Sequence, residues 1–146
     1  MKYGLIYYHN TTNIGDDILS YAGKQFLPQV DYYIDRENTD LFLPETKEYV
    51  AAIFNGWFLH YSYAFPPSPY IIPYFIGTHF NSDSMIFGDY SYLDGTITDY
   101  LKSNGRIGCR DTQTMEILGQ KGIDSYFSGC LTLTLKNTKI YNLTTV

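Results

Sequence analysis

Apolar and polar positions along the chain alternate in blocks: a short apolar run, a polar turn, then a stretch with helical spacing. Tyr3 to Tyr8 is an apolar, β-favouring run of the kind that forms a buried parallel strand. His9 to Gly15 is polar and turn-forming. From Asp16-Asp17 onward Ile18, Ala22 and Phe26 recur four apart, which predicts a helix capped by Asp16 and closed before Pro28. Val30 to Ile34 reads as a second strand, and Asp35 to Lys47 as an irregular connection with at most one helical turn. Glu48 to Phe54 is the third strand, ending in Asn55-Gly56-Trp57. Four of the six prolines fall between Pro66 and Pro73, a density that excludes a helix interior and predicts an extended segment.

The second half repeats the order. Ile71 to Ile76 is a fourth strand that ends at Gly77-Thr78-His79. Thr96-Ile97-Thr98-Asp99 has the spacing of a capping box, and Asn104-Gly105 closes that helix. Arg106 to Cys109 is the fifth strand. Thr112 to Lys121 is a helix with Met115 and Leu118 on one face, stopped by Gly122, and Tyr126 opens the sixth strand. Leu131 to Leu135 alternates Leu and Thr, as a half-covered strand does. Strands alternating with helices predict an α/β fold: a Rossmann-like, mostly parallel sheet flanked by helices, in a single domain over residues 1–146.

Composition narrows the function. A formal net charge of −5, from 15 acidic against 10 basic residues with no basic run, excludes nucleic acid as a partner. Arg106 and Arg110 form the close arginine pair, suited to a small anion. The 16 tyrosines supply flat apolar area with a hydroxyl, the surface chemistry that meets sugars or proteins, although most tyrosines in such a pattern serve the core and strands. Cys109 and Cys130 fit neither a disulfide framework nor a zinc pattern, which points to a reduced, cytoplasmic setting. The N-terminal run is too short and lacks the cleavage site of a signal peptide. No stretch reaches the length of a membrane span. The sequons at Asn10-Thr11-Thr12 and Asn142-Leu143-Thr144 are therefore read as chance matches.

Parallel strands bring the residues that follow them to one edge of the sheet. Those residues are His9, Asn10, Asn13, Gly15 and Asp16 after the first strand, and Asn55, Gly56 and His60 after the third. Thr78 and His79 follow the fourth, Arg110 and Asp111 the fifth, and Ser128 and Gly129 come from the sixth. Arg110 has two readings, a cap or partner of Asp111 and a bidentate grip on a carboxylate or phosphate. Asn13-Ile14-Gly15-Asp16 resembles a phosphate-binding turn, but Asp16 and Asp17 repel an anion there. A cap whose Asn13 or Asp16 meets sugar hydroxyls is the better functional reading. His9, His60 and His79 are each able to exchange a proton near neutral pH. No Walker loop, Gly-x-Gly-x-x-Gly, Cys-x-x-Cys or Ser-His-Asp order is present.

The blocks Asn13-Ile14-Gly15-Asp16, FNGWFLH from Phe54 to His60, PPSPYIIPYFIGTHF from Pro66 to Phe80, GCRD from Gly108 to Asp111 and KGIDSYFSGCLTLTL from Lys121 to Leu135 resemble the polysaccharide pyruvyl transferase family. The resemblance implies one lobe of a two-lobed, GT-B-like fold, with transfer of a pyruvyl group from phosphoenolpyruvate to a sugar hydroxyl as a ketal. It implies that Arg110 holds the donor's phosphate or carboxylate, and that His60 or His79 is the general acid. Asn13, Asp16 and Asn55 would line the same cleft, with Gly15, Asp111 and Ser128 among the substrate-binding residues. Phosphoenolpyruvate and a glycan acceptor are the expected partners, with no metal or other cofactor. The site would be completed by a second lobe or by another copy of the chain. Two other readings fit the same residues. One is a non-catalytic carbohydrate- or protein-binding domain, and the other is half of a GT-B-like glycosyltransferase.

Overall fold

The computed structural model describes residues 1–59, 65–80, 93 and 95–136. Among them the chain runs through β1 (Lys2–Tyr7), α1 (Ile14–Lys24), β2 (Tyr32–Asp35), a kinked 3-10 segment (Arg36–Leu41), β3 (Val50–Phe58) and β4 (Ile71–Phe80). It continues through α2 (Thr96–Ser103), β5 (Ile107–Cys109), α3 (Thr112–Gln120), β6 (Ser125–Phe127) and a 3-10 turn (Leu131–Thr134). The six strands form one sheet in the order β2-β1-β3-β4-β5-β6, and every neighbouring pair is parallel. This is the α/β, Rossmann-like architecture that the sequence predicts. Strand order reverses between β1 and β3, so the topological switch point of the sheet lies there.

Central strands of a parallel sheet are covered on both faces and carry continuous apolar runs. Accordingly Val50, Ala51, Ala52, Phe54 and Phe58 of β3 are buried, as are Ile71, Phe75 and Phe80 of β4. Phe54 is the hub of the core: it stacks on Phe58 with ring centroids 5.0 Å apart and tilts against Phe75 at 5.2 Å. Ile107, Ile117 and Leu118 close the same cluster from β5 and α3. Pro73 lies within β4, where β4 has a ladder only with β3; its pairing with β5 is limited to Thr78 opposite Cys109. A strand tolerates proline where one side is unpaired.

Several boundaries move. β3 runs on to Phe58, past the predicted stop at Asn55-Gly56. The register with β4 shifts between Phe54 and Gly56 and then resumes as Gly56 opposite Thr78, Trp57 opposite His79 and Phe58 opposite Phe80. The Thr78 hydroxyl donates to the Phe54 carbonyl at this irregularity, at 2.6 Å. α1 is capped by Asn13 and not by Asp16: Asn13 Oδ1 accepts from the Gly15 amide at 3.0 Å. Its buried stripe is Leu19, Ala22 and Gly23, whereas Ile18 and Phe26 stay exposed. α2 begins after Gly95 with no side-chain cap. α3 ends as predicted, with the Gly122 amide on the Gly119 carbonyl and the Ile123 amide on the Leu118 carbonyl.

The Leu131–Leu135 alternation does not make a strand. Gly129, with φ of +71°, turns the chain away from β6. Amides of Leu133 and Leu135 then bond back to the carbonyls of Cys130 and Thr132, which makes 3-10 geometry. Leu131 is buried, but Leu133 points out to solvent, 82% exposed. This turn docks on α1 through Gln25 Nε2, which donates to Thr134 Oγ1 at 2.7 Å. His60 and the Asn142-Leu143-Thr144 sequon lie outside the described residues.

Candidate functional site

A cavity of about 280 Å³ opens at the carboxyl edge of the sheet, beside the switch point. The first turns of α1 supply one wall through Asn13, Gly15, Asp16 and Leu19. Trp57 comes from the far end of β3, Arg110 from just past β5, and Cys130 and Thr132 from the turn after β6. The topology explains the gathering, because each residue follows the carboxyl end of a parallel strand or sits at one.

The walls are fixed by local bonds. Thr11 Oγ1 donates to Asp16 Oδ2 at 2.6 Å and accepts from the Asn13 amide at 3.0 Å, which holds the loop between β1 and α1 against the helix. The Arg110 amide donates to the Thr78 carbonyl at 3.0 Å, extending the β4–β5 pairing by one residue and anchoring the base of its side chain. The Arg110 side chain remains 29% exposed, with Nε 3.9 Å from Asp111 Oδ2.

Beside this cavity His79 and Asp111 form a close pair, Nδ1 to Oδ2 at 2.6 Å. Asp111 is also the N-cap of α3, its Oδ1 accepting from the Thr114 amide at 2.8 Å. Partial burial pushes the Asp111 carboxyl upward, but the bonds from the Thr114 amide, His79 and the Thr114 hydroxyl outweigh it. The group is held below the usual aspartate value. The His79 ring meets Trp57 edge to face, with centroids 5.9 Å apart, as the strand register dictates.

Other predicted site residues lie elsewhere or spend their bonds internally. Asn55 is buried at 2% exposure. Its side-chain amide donates to the Leu19 carbonyl at 2.8 Å, and its own carbonyl accepts from Tyr8 Oη at 3.0 Å. It holds α1 to β3 and does not line the cavity. Ser128 Oγ accepts from the Gly77 amide at 2.9 Å and lies 3.1 Å from the Cys109 carbonyl, joining β4, β5 and the exit of β6. His9 is exposed, with its ring on the edge of Tyr7. Arg106 and Arg110 are not a pair: they flank the three residues of β5, four positions or roughly 13 Å apart along a strand. Arg106 faces the amino edge, where it bonds Asp124 and lies over Tyr126.

The arginine that shares the carboxyl edge with Arg110 is Arg36. It directly follows β2, with its guanidinium carbon 4.4 Å from the Tyr8 ring centroid and an ion pair to Glu37. Burial drives the Tyr8 phenol upward, and the charges of Arg36 and Arg110 oppose that shift. The rule that polar residues after strands converge applies to Arg36 too, but it needs β2 to end at Asp35, one residue beyond the predicted stop. Trp57, Cys130 and Thr132 were hidden for related reasons: the first lies past a bulge and the others in a stretch with a strand-like pattern.

Among the described residues no group of three His, Cys, Asp or Glu could hold a metal ion, and no helix is long and apolar enough to cross a membrane. No curated protein and no solved structure matches the chain significantly. A family model described as polysaccharide pyruvyl transferase matches residues 13–144. That span begins at the cap of α1 and ends beyond the Leu131–Thr134 turn, so every wall of the cavity lies inside it. The chain belongs to the polysaccharide pyruvyl transferase family.

Proposed function

We propose that this protein moves a pyruvyl group from phosphoenolpyruvate to a glycan, forming a ketal, with Arg110 holding the donor and His79 exchanging the proton. The observation that carries the reading is the cavity beside the switch point, lined by Arg110, Asn13, Asp16 and Trp57, with the His79–Asp111 pair next to it. Arg110 suits a phosphate or carboxylate, which it can grip with two parallel N–H bonds. Asp16 and Asn13, on the opposite wall, suit sugar hydroxyls. Trp57 also lines the cavity, and an indole supplies the flat apolar area that suits a sugar ring.

The chemistry needs an acid, a base and a cation. Protonation of the methylene carbon of phosphoenolpyruvate converts it to a methyl group and leaves an oxocarbenium-like centre at the neighbouring carbon. A sugar hydroxyl adds there and gives up its proton. The C–O bond to phosphate then breaks, a second hydroxyl adds to the same carbon, and its proton leaves with inorganic phosphate. The imidazolium of His79 supplies the first proton, and the neutral ring takes one back from a hydroxyl. The Arg110 guanidinium offsets the charge that builds on phosphate as it departs. A second lobe or a second copy of the chain would close the open side of this cleft over the acceptor.

Calorimetric titration of the full chain with phosphoenolpyruvate tests the donor assignment. Arg110→Ala should weaken binding roughly ten- to a hundredfold, the range for a hydrogen bond to a charged group. Equal affinity in both proteins would remove Arg110 from the donor site. Absence of binding to the wild-type chain would favour a carbohydrate- or protein-binding role without transfer.

A further inference from the structure

We propose that Asp111 is a positioning residue: it fixes the tautomer of His79 with the proton on Nδ1 and leaves Nε2 as the nitrogen that exchanges a proton with substrate. An ionised carboxylate only accepts hydrogen bonds, so the 2.6 Å contact between Asp111 Oδ2 and His79 Nδ1 requires the proton on Nδ1. Asp111 is itself immobilised. Its other oxygen caps α3 through the Thr114 amide, and the buried Thr114 also brings its hydroxyl to 3.3 Å from Nδ1. Both hydrogen-bonding contacts of the ring are made at Nδ1.

Among the described residues, Asp111 is the carboxylate that bonds the ring. On β5 the other titratable group is Cys109, whose register partner Thr78 precedes His79. Burial and the nearby Asp111 push its thiol up to about 12, so it stays neutral. Arg110 Nε lies 3.9 Å from Asp111 Oδ2, a long contact. From β3 the neighbour is Trp57, which carries no charge. The carboxylate that caps a helix thus also sets a histidine, and the helix start gives the pair a rigid base. The catalytic consequence rests on the reading of His79 as the acid; the tautomer does not.

The discriminating variant is Asp111→Asn in the full chain. Its carbonyl oxygen can keep the α3 cap, while its NH₂ replaces the oxygen facing Nδ1. That group donates, so the ring must accept at Nδ1 and move its proton to Nε2. Nitrogen-15 NMR of histidine-labelled protein, with His79 assigned from His79→Gln, should find protonated Nδ1 and bare Nε2 in the neutral wild type. The two should exchange places in Asp111→Asn. Asp111→Ser retains a capping oxygen without charge or amide, so it should keep the fold while no longer holding the proton on Nδ1. A bare Nδ1 in the wild type, or an unchanged tautomer in Asp111→Asn, would overturn the proposal. Inversion of the tautomer together with full transfer by His79→Gln would support the pairing and retire His79 as the acid.

Discussion

Gly56 is the residue on which the position of the site turns. Its φ of +117° lies where side chains are rarely held, and a Cβ built there would stand 1.9 Å from Tyr8 Oη. The phenol has little room to yield: it is buried, bonded to the Asn55 carbonyl, and stacked with Arg36. The backbone bend at Gly56 also lets β3 resume its ladder with β4, which sets Trp57 beside His79. Gly56→Ala should therefore destabilise the protein by about 2–4 kcal/mol, combining overpacking with backbone strain. Urea denaturation measures this directly. A loss below about 1 kcal/mol would mean that the Tyr8 ring moves aside freely and that the bend does not depend on glycine.

At the scale of elements, α1 links the fold to the cavity. Its first turn is held by the Asn13 side chain on the Gly15 amide, and that turn carries Gly15 and Asp16 in the cavity wall. Asn13→Ala should cost about 1 kcal/mol, the usual loss for a removed N-cap, and Asn13→Ser should recover most of it. Thermal melts of the three proteins test the cap; equal melting temperatures for the Ala and Ser variants would argue that Asn13 acts otherwise. The same helix marks how far sequence reading reaches. Strand runs and helix stops such as Gly122 were legible because apolar runs and positive-φ glycines act locally. The capping residue was missed by three positions, since Asn13 and Asp16 are equally good caps in isolation and only tertiary contacts choose. The Leu131–Leu135 stretch has the alternation of a strand, but the turn at Gly129 removes it from the sheet. Of the residues that line the cavity, topology alone pointed to Asn13, Gly15, Asp16 and Arg110. It could not say that Asn55 and Ser128 spend their polar groups on neighbouring backbone, because internal hydrogen bonding leaves no periodic trace.

Across the whole molecule, ionisable groups sit at junctions between elements, and this sets a pH window for stability. Asp31 receives the Tyr3 amide and Lys2, and Asp111 receives the Thr114 amide and His79; both carboxyls are held below their ordinary value of 3.8. A depressed carboxyl contributes stability above its unfolded pKa, and that contribution is lost as pH falls through the folded one. At the other limit burial raises the Cys109 thiol from 9.0 to about 12 and the Tyr100 phenol from 10.0 to about 12. Burial raises Tyr8 as well. A raised thiol or phenol contributes stability that is complete below the unfolded pKa and is lost as pH climbs through the folded one. The melting temperature should therefore be level between about pH 5 and 8, fall on the acid side below about pH 4, and fall again from about pH 9. Circular dichroism melts across that range test the shape. Cys109→Ala separates the basic limb, because it removes the group with the lowest unfolded pKa of the three and should delay the onset of decline toward pH 10. If the basic limb of Cys109→Ala overlays that of the wild type, the buried thiol is not what couples folding to alkaline pH.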